Sequence, residues 1–101
     1  MMIECEIHGL SFAVKVSPDI KKQIDSLEHI NSFIIIDYDF EGDIAHSYYL
    51  SEEFAKKYGF TGDTTTPLPD DYPEWVHLMD MVCEKCFMEF ANVRMQAGIR
   101  F

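Results

Sequence analysis

Apolar and polar residues alternate along the first part of the chain with the period of two that suits a half-covered strand. Residues 2 to 7 read as one short strand and residues 10 to 16, LSFAVKV, as a second, with Leu10, Phe12, Val14 and Val16 on one face. His8 and Gly9 stand at the reversal between them, where glycine supplies the positive φ of a tight turn. The pattern then turns helical. Ser17 is placed to cap, Pro18 takes the first helical position and Asp19 suits the N-terminal dipole. With Ile20, Ile24, Leu27 and Ile30 as the apolar stripe, the spacing predicts a helix over residues 18 to 29.

Residues 33 to 36, FIII, do not alternate, which predicts an interior strand covered on both faces. With the EGD turn and the returning IAHSYYL, residues 33 to 50 read as a hairpin, expected to pair antiparallel with the N-terminal one. Ser51 opens a short helix that Gly59 closes, with Glu52 and Glu53 at its start and Lys56 and Lys57 at its end. The prolines of TGDTTTPLPDD argue against regular pairing there. From Tyr72 onward, Trp75, Met79, Val82, Cys86, Phe90 and Val93 recur at three- and four-residue spacings. They predict one long helix, entered at Pro73 and left near Gly98, spanning roughly 35 Å. The expected fold is a single α+β domain over residues 1–101: a small antiparallel sheet of about four strands packed against a long C-terminal helix, with two shorter helices.

Composition narrows the function classes. Apolar residues make up 48% of the 101 residues, which argues against disorder, and 18 acidic against 8 basic side chains give a formal charge of −10. Such a field repels nucleic acid and anionic membranes and steers basic partners toward the surface. The opening MMIECEIHGL lacks the basic and apolar regions of a secretion signal, and no run approaches a membrane span, so a cytoplasmic protein is expected. Three cysteines, an odd number, then point to metal or free thiols rather than a disulfide framework.

The cysteines carry the clearest chemistry. Cys5-x-x-His8-Gly9 places a thiolate and an imidazole at one turn, whose backbone amides can donate to the sulfur, and Cys83-x-x-Cys86 supplies a matching pair. All three cysteines and one histidine are used, the donor set that tetrahedral Zn²⁺ prefers. In these residues the chain resembles zinc-knuckle and zinc-ribbon proteins of the Cys3His type, although most of the fold is inserted between the two halves. Four protein donors leave no position for a water nucleophile, so the expected Zn²⁺ is structural. Two other readings stay open: buried cysteines acting as small hydrophobes beside a polar turn histidine, and a redox pair at Cys83 and Cys86, which lacks a βαβ setting.

The segment DYDFEGDIAHSY, residues 37 to 48, matches the early positions of a calcium loop but has Tyr48 where the bidentate glutamate belongs. Read as strand, it projects Asp37, Asp39 and Glu41 to one side near Asp43, a row of carboxylates suited to a solvated tip or to a basic partner. His29, His46 and His77 belong to no nucleophile motif, and His77 with Asp80 and His46 with Tyr48 are candidate hydrogen-bonded pairs. No phosphate-binding glycine loop, H-E-x-x-H or G-x-S-x-G is present. The expectation is therefore a binding module, not an enzyme. In size, charge and lack of catalytic motifs it resembles bacterial immunity proteins that inhibit cationic nuclease toxins. That resemblance implies that Asp37, Asp39, Glu41 and Asp43, with Asp70 and Asp71 of the long loop, occupy a basic protein partner's phosphate sites. A small enzyme using His46, His77 or the acidic hairpin remains an alternative, as does a subunit or adaptor presenting Tyr48, Tyr49 and Phe101.

Overall fold

The apolar run at residues 33 to 36 becomes the middle of the molecule. The computed structural model describes residues 2–30 and 32–91. Within them the chain forms β1 (Met2–Cys5), β2 (Gly9–Val16), α1 (Pro18–Asp25), β3 (Ile34–Phe40), β4 (Asp43–Leu50) and α2 (Glu52–Lys57). There follow β5 (Thr64–Pro67), α3 (Glu74–His77), β6 (Asp80–Cys83) and α4 (Glu84–Phe90). The strands make one mixed sheet in the order β1-β2-β4-β3-β5, with β6 also paired to β2. Phe33 and Ile35 enter one core with Val16, Ile20, Ile24, Val82 and Phe87. Ile34, Ile36 and Tyr38 enter the other with Tyr48, Leu50, Ala55 and Trp75. Successive side chains of a strand point to opposite faces, so α1 and α4 cover one face of the sheet and α2 and α3 the other.

Three expectations about this architecture are corrected. The sheet has six strands and is mixed: β2 runs parallel to β4, joined at Lys15–Tyr48 and Val16–Tyr49. The reason is connectivity, since α1 carries the chain past β2 so that the returning strand β4, and not β3, lands beside it. Second, the proline-containing loop forms β5, parallel to β3 from Ile36–Thr64 to Asp39–Pro67. Three β-branched threonines favour the strand, and Pro67 comes last on an edge strand, where a missing N–H does little harm. Asp63 Oδ1 accepts the Ile35 N–H at 2.9 Å and the Asp39 carbonyl accepts the Leu68 N–H at 2.8 Å, which holds both ends of β5.

Third, the long C-terminal helix does not form; its place is taken by α3, β6 and the seven-residue α4. Trp75 belongs to the core on one face of the sheet, whereas Val82 and Phe87 belong to the core on the other. One straight helix cannot serve both, so the chain crosses between faces as a strand, with Met81 exposed and Val82 buried. β6 pairs antiparallel with β2 from Ala13–Cys83 to Val16–Asp80. Val93 of the expected stripe and Gly98 at the expected exit lie outside the described residues.

Local signals behave more simply. Ser51 Oγ accepts the Phe54 N–H at 3.1 Å, and Gly59, at φ +88°, closes α2 with its N–H on the Lys56 carbonyl. Ser17 makes no side-chain cap; its hydroxyl donates to Asp19 Oδ1 at 2.5 Å and accepts the Ser51 N–H at 3.0 Å. Ser51 Oγ donates to the other Asp19 oxygen, so one carboxylate ties together the N-termini of α1 and α2. α1 stops at Asp25, short of residue 29. The β3–β4 hairpin turns on Glu41 and Gly42, both at positive φ, with a register shift at Tyr38/Asp39. In β2 the expected inward face reverses toward the N-terminus: Leu10 and Phe12 are exposed and Ser11 is buried.

Candidate metal centre

The two cysteine-containing segments meet. Cys5 ends β1 and His8 sits in the β1–β2 turn, while Cys83 ends β6 and precedes α4, whose first turn carries Cys86. Pairing of both β1 and β6 with β2 brings these ends to one place. Their four ligand atoms all lie within 4.8 Å of one another. His8 Nδ1 is 3.6 Å from the Cys5 sulfur, 3.7 Å from that of Cys83 and 3.5 Å from that of Cys86, and the Cys5 and Cys86 sulfurs are 3.5 Å apart.

Tetrahedral zinc tests the fit. With Zn–S of about 2.3 Å and Zn–N of about 2.0–2.1 Å, neighbouring donors stand about 3.5–3.6 Å apart for nitrogen to sulfur and about 3.8 Å for sulfur to sulfur. The nitrogen–sulfur separations agree to about 0.2 Å. The three cysteines form no disulfide, Cys83 is buried and the other three donors are partly buried. Cys5, His8, Cys83 and Cys86 would therefore hold one ion through protein atoms alone.

The two halves are built alike. The backbone N–H groups of His8 and Ile7 point at the Cys5 sulfur and lower its pKa to about 6. Burial pushes the Cys83 thiol up, but the N–H of Cys86, the Ser11 hydroxyl and the N–H of Lys85 outweigh it and leave the pKa below the ordinary value. In each half the donating amides are two and three residues beyond the cysteine, the geometry expected of a tight turn. Burial, with the nearby Cys5 sulfur, pushes Cys86 up to about 12. Hydrogen bonds to Cys5 and then to Glu89 raise His8 to about 9. Both shifts favour a Cys5 thiolate beside a His8 imidazolium when no metal is bound, and a divalent cation would replace the protons.

Glu89 is the residue that sequence reasoning missed. Its Oε1 lies 2.8 Å from His8 Nε2, which leaves Nδ1 facing the sulfurs. A carboxylate behind a ligating imidazole fixes the ring and its tautomer. The signal was present in the sequence, since Glu89 stands three residues after Cys86 and so shares its helical face. Ser11, also missed, is a buried polar residue between the exposed Leu10 and Phe12.

The other candidate residues differ in exposure. Asp37 is half-buried and accepts the Ser47 hydroxyl at 2.6 Å. Asp39 is also half-buried, with Oδ1 out of solvent and without a hydrogen-bond partner among the described residues. Glu41, Asp43, Asp70 and Asp71 are exposed. His46 packs its ring near Tyr48 and Tyr72, while His29 and His77 are exposed. Among the described residues no helix is long and apolar enough to cross a membrane. Comparison with protein-family models, with curated proteins and with solved structures gives no match to this chain.

Proposed function

We propose that this chain is a small acidic binding protein stapled by one structural Zn²⁺, and that its activity is capture of a basic protein partner, in the manner of an immunity-type inhibitor. The closed donor set carries the reading. Three thiolates and an imidazole fill a tetrahedron, so the metal serves the fold and leaves recognition to the surface. A charge of −10 on 101 residues supports fast, salt-sensitive association with a cationic protein. The exposed carboxylates Glu41, Asp43, Asp70 and Asp71 are the contact residues in this reading; Asp37 acts through its bond to Ser47, holding the hairpin that presents them.

Two measurements test it. Elemental analysis of protein purified without chelator should find one zinc per chain. Immobilised protein should retrieve a basic protein from extract of its native cell, and the Glu41→Lys, Asp43→Lys double variant should not, with zinc content unchanged. Equal capture by the variant would refute the carboxylate surface, and metal-free protein of unchanged stability would refute the staple.

A further inference from the structure

The parallel pairing of β2 with β4 is short. Each strand runs for eight residues, yet they join only at Lys15–Tyr48 and Val16–Tyr49. β1 and β6 both pair with β2 and touch each other, which places them on the edge turned away from β4. β4 uses its other edge for β3, from Asp43 to Leu50. Ahead of the two joined pairs the strands diverge around a cleft of about 480 Å³, lined by Ala13, Val14, Lys15, Ala45, His46 and Ser47 with Tyr49 beyond them. Along this opening, Ala13 and Val14 of β2 and residues 45–47 of β4 line the cleft with no strand pairing between them among the described residues.

Unpaired backbone on a sheet edge is a template for another strand. Several features make this edge receptive. Ala13 and Ala45 are too small to shield the backbone. Ala45 is the extra residue where the register passes from Tyr38–His46 to Asp39–Ile44, so it is not bound in register to β3. Around the end of the hairpin, Phe40 and Ile44 are exposed apolar side chains and Glu41 and Asp43 are exposed carboxylates. Alternate residues of an added strand face opposite sides. Asp43 and Ile44 are successive residues of β4 and so stand on opposite faces, so basic positions of an added strand would meet Asp43 and apolar ones Ile44.

We infer that the β2–β4 cleft is a strand-addition site that takes an extended segment of a protein partner in which apolar and basic residues alternate. The inference rests on the basic-partner reading above and specifies how that partner docks. Main-chain hydrogen bonds to β4 would supply affinity, and the flanking acids and apolar side chains would supply selectivity.

The test uses the zinc-loaded full chain and a phage-displayed library of random ten-residue peptides. Selection should enrich sequences alternating Lys or Arg with Val, Ile or aromatic residues. A synthetic peptide from that pool should shift the amide resonances of residues 13–15 and 43–47. N-methylation of the peptide's alternate amides should distinguish two sets: one set abolishes binding, the other is tolerated. No enrichment, shifts confined to another surface, or tolerance of both N-methylated sets would overturn the inference. So would free protein that dimerises with these amides protected, because the occupant would then be a second copy. Loss of binding in the Glu41→Lys, Asp43→Lys variant with both N-methylated sets tolerated removes the strand-addition site and leaves the acidic surface standing. The converse pattern keeps the site and removes the charge-based reading.

Discussion

Removing the metal should cost this protein a large part of its stability. Cys5 and Cys86 are 81 positions apart in sequence, and the cluster ties the β1–β2 turn to the first turn of α4. A crosslink closing a loop of that length removes unfolded-state entropy worth about 4–5 kcal/mol at 25 °C. The total stability of such a domain is about 5–15 kcal/mol. With an unfolding entropy of about 0.2 kcal/mol per kelvin for a chain of this length, the loss corresponds to about 20 °C in Tm. The assay is thermal unfolding of zinc-loaded and chelator-stripped protein at neutral pH under reducing conditions, with zinc content measured on both samples. Cys86→Ser should show the same depression without chelator and no further change when chelator is added. A shift below about 5 °C, with loss of zinc confirmed, would refute the staple and return the cysteines to the role of small buried hydrophobes.

Three other outcomes follow from the same geometry. Glu89→Gln should weaken zinc binding about 10- to 100-fold in chelator competition while leaving the secondary structure intact, because the imidazole loses the carboxylate that orients it. Zinc binding at pH 7 to 8 should release at least two protons. His8, raised to about 9, and Cys86, raised to about 12, must give theirs up, whereas Cys5, lowered to about 6, has already done so. Affinity should therefore rise with pH across this window, and calorimetric titrations in buffers of different ionisation enthalpy will count the protons. Ser51→Ala should destabilise by about 1–3 kcal/mol in urea unfolding, since it removes the cap on Phe54 and leaves Asp19 one donor short.

Much of this molecule was legible in local patterns because the deciding forces there are local. The β1–β2 and β3–β4 hairpins, the Ser51 cap and the Gly59 stop each depend on a few adjacent residues and their backbone conformations. The Cys3His cluster was legible for a related reason: donor chemistry restricts which residues could share an ion, and the cysteines with His8 formed one complete set. Glu89 was harder to see because its role lies in a contact to the opposite end of the chain.

By itself the sequence determined the two-sided burial of residues 33 to 36, the ends of α2 and the four members of the Cys3His cluster, since propensity, capping and ligand chemistry act over short spans. Only the tertiary structure decided the strand order, the parallel pairing of β2 with β4, and the break of the C-terminal apolar stripe into α3, β6 and α4. A stripe at helical spacing states that residues are buried, not that they are buried on the same side. Trp75 and Phe87 answer to cores on opposite faces of one sheet, and the strand that passes between them brings Cys83 to the Cys3His cluster.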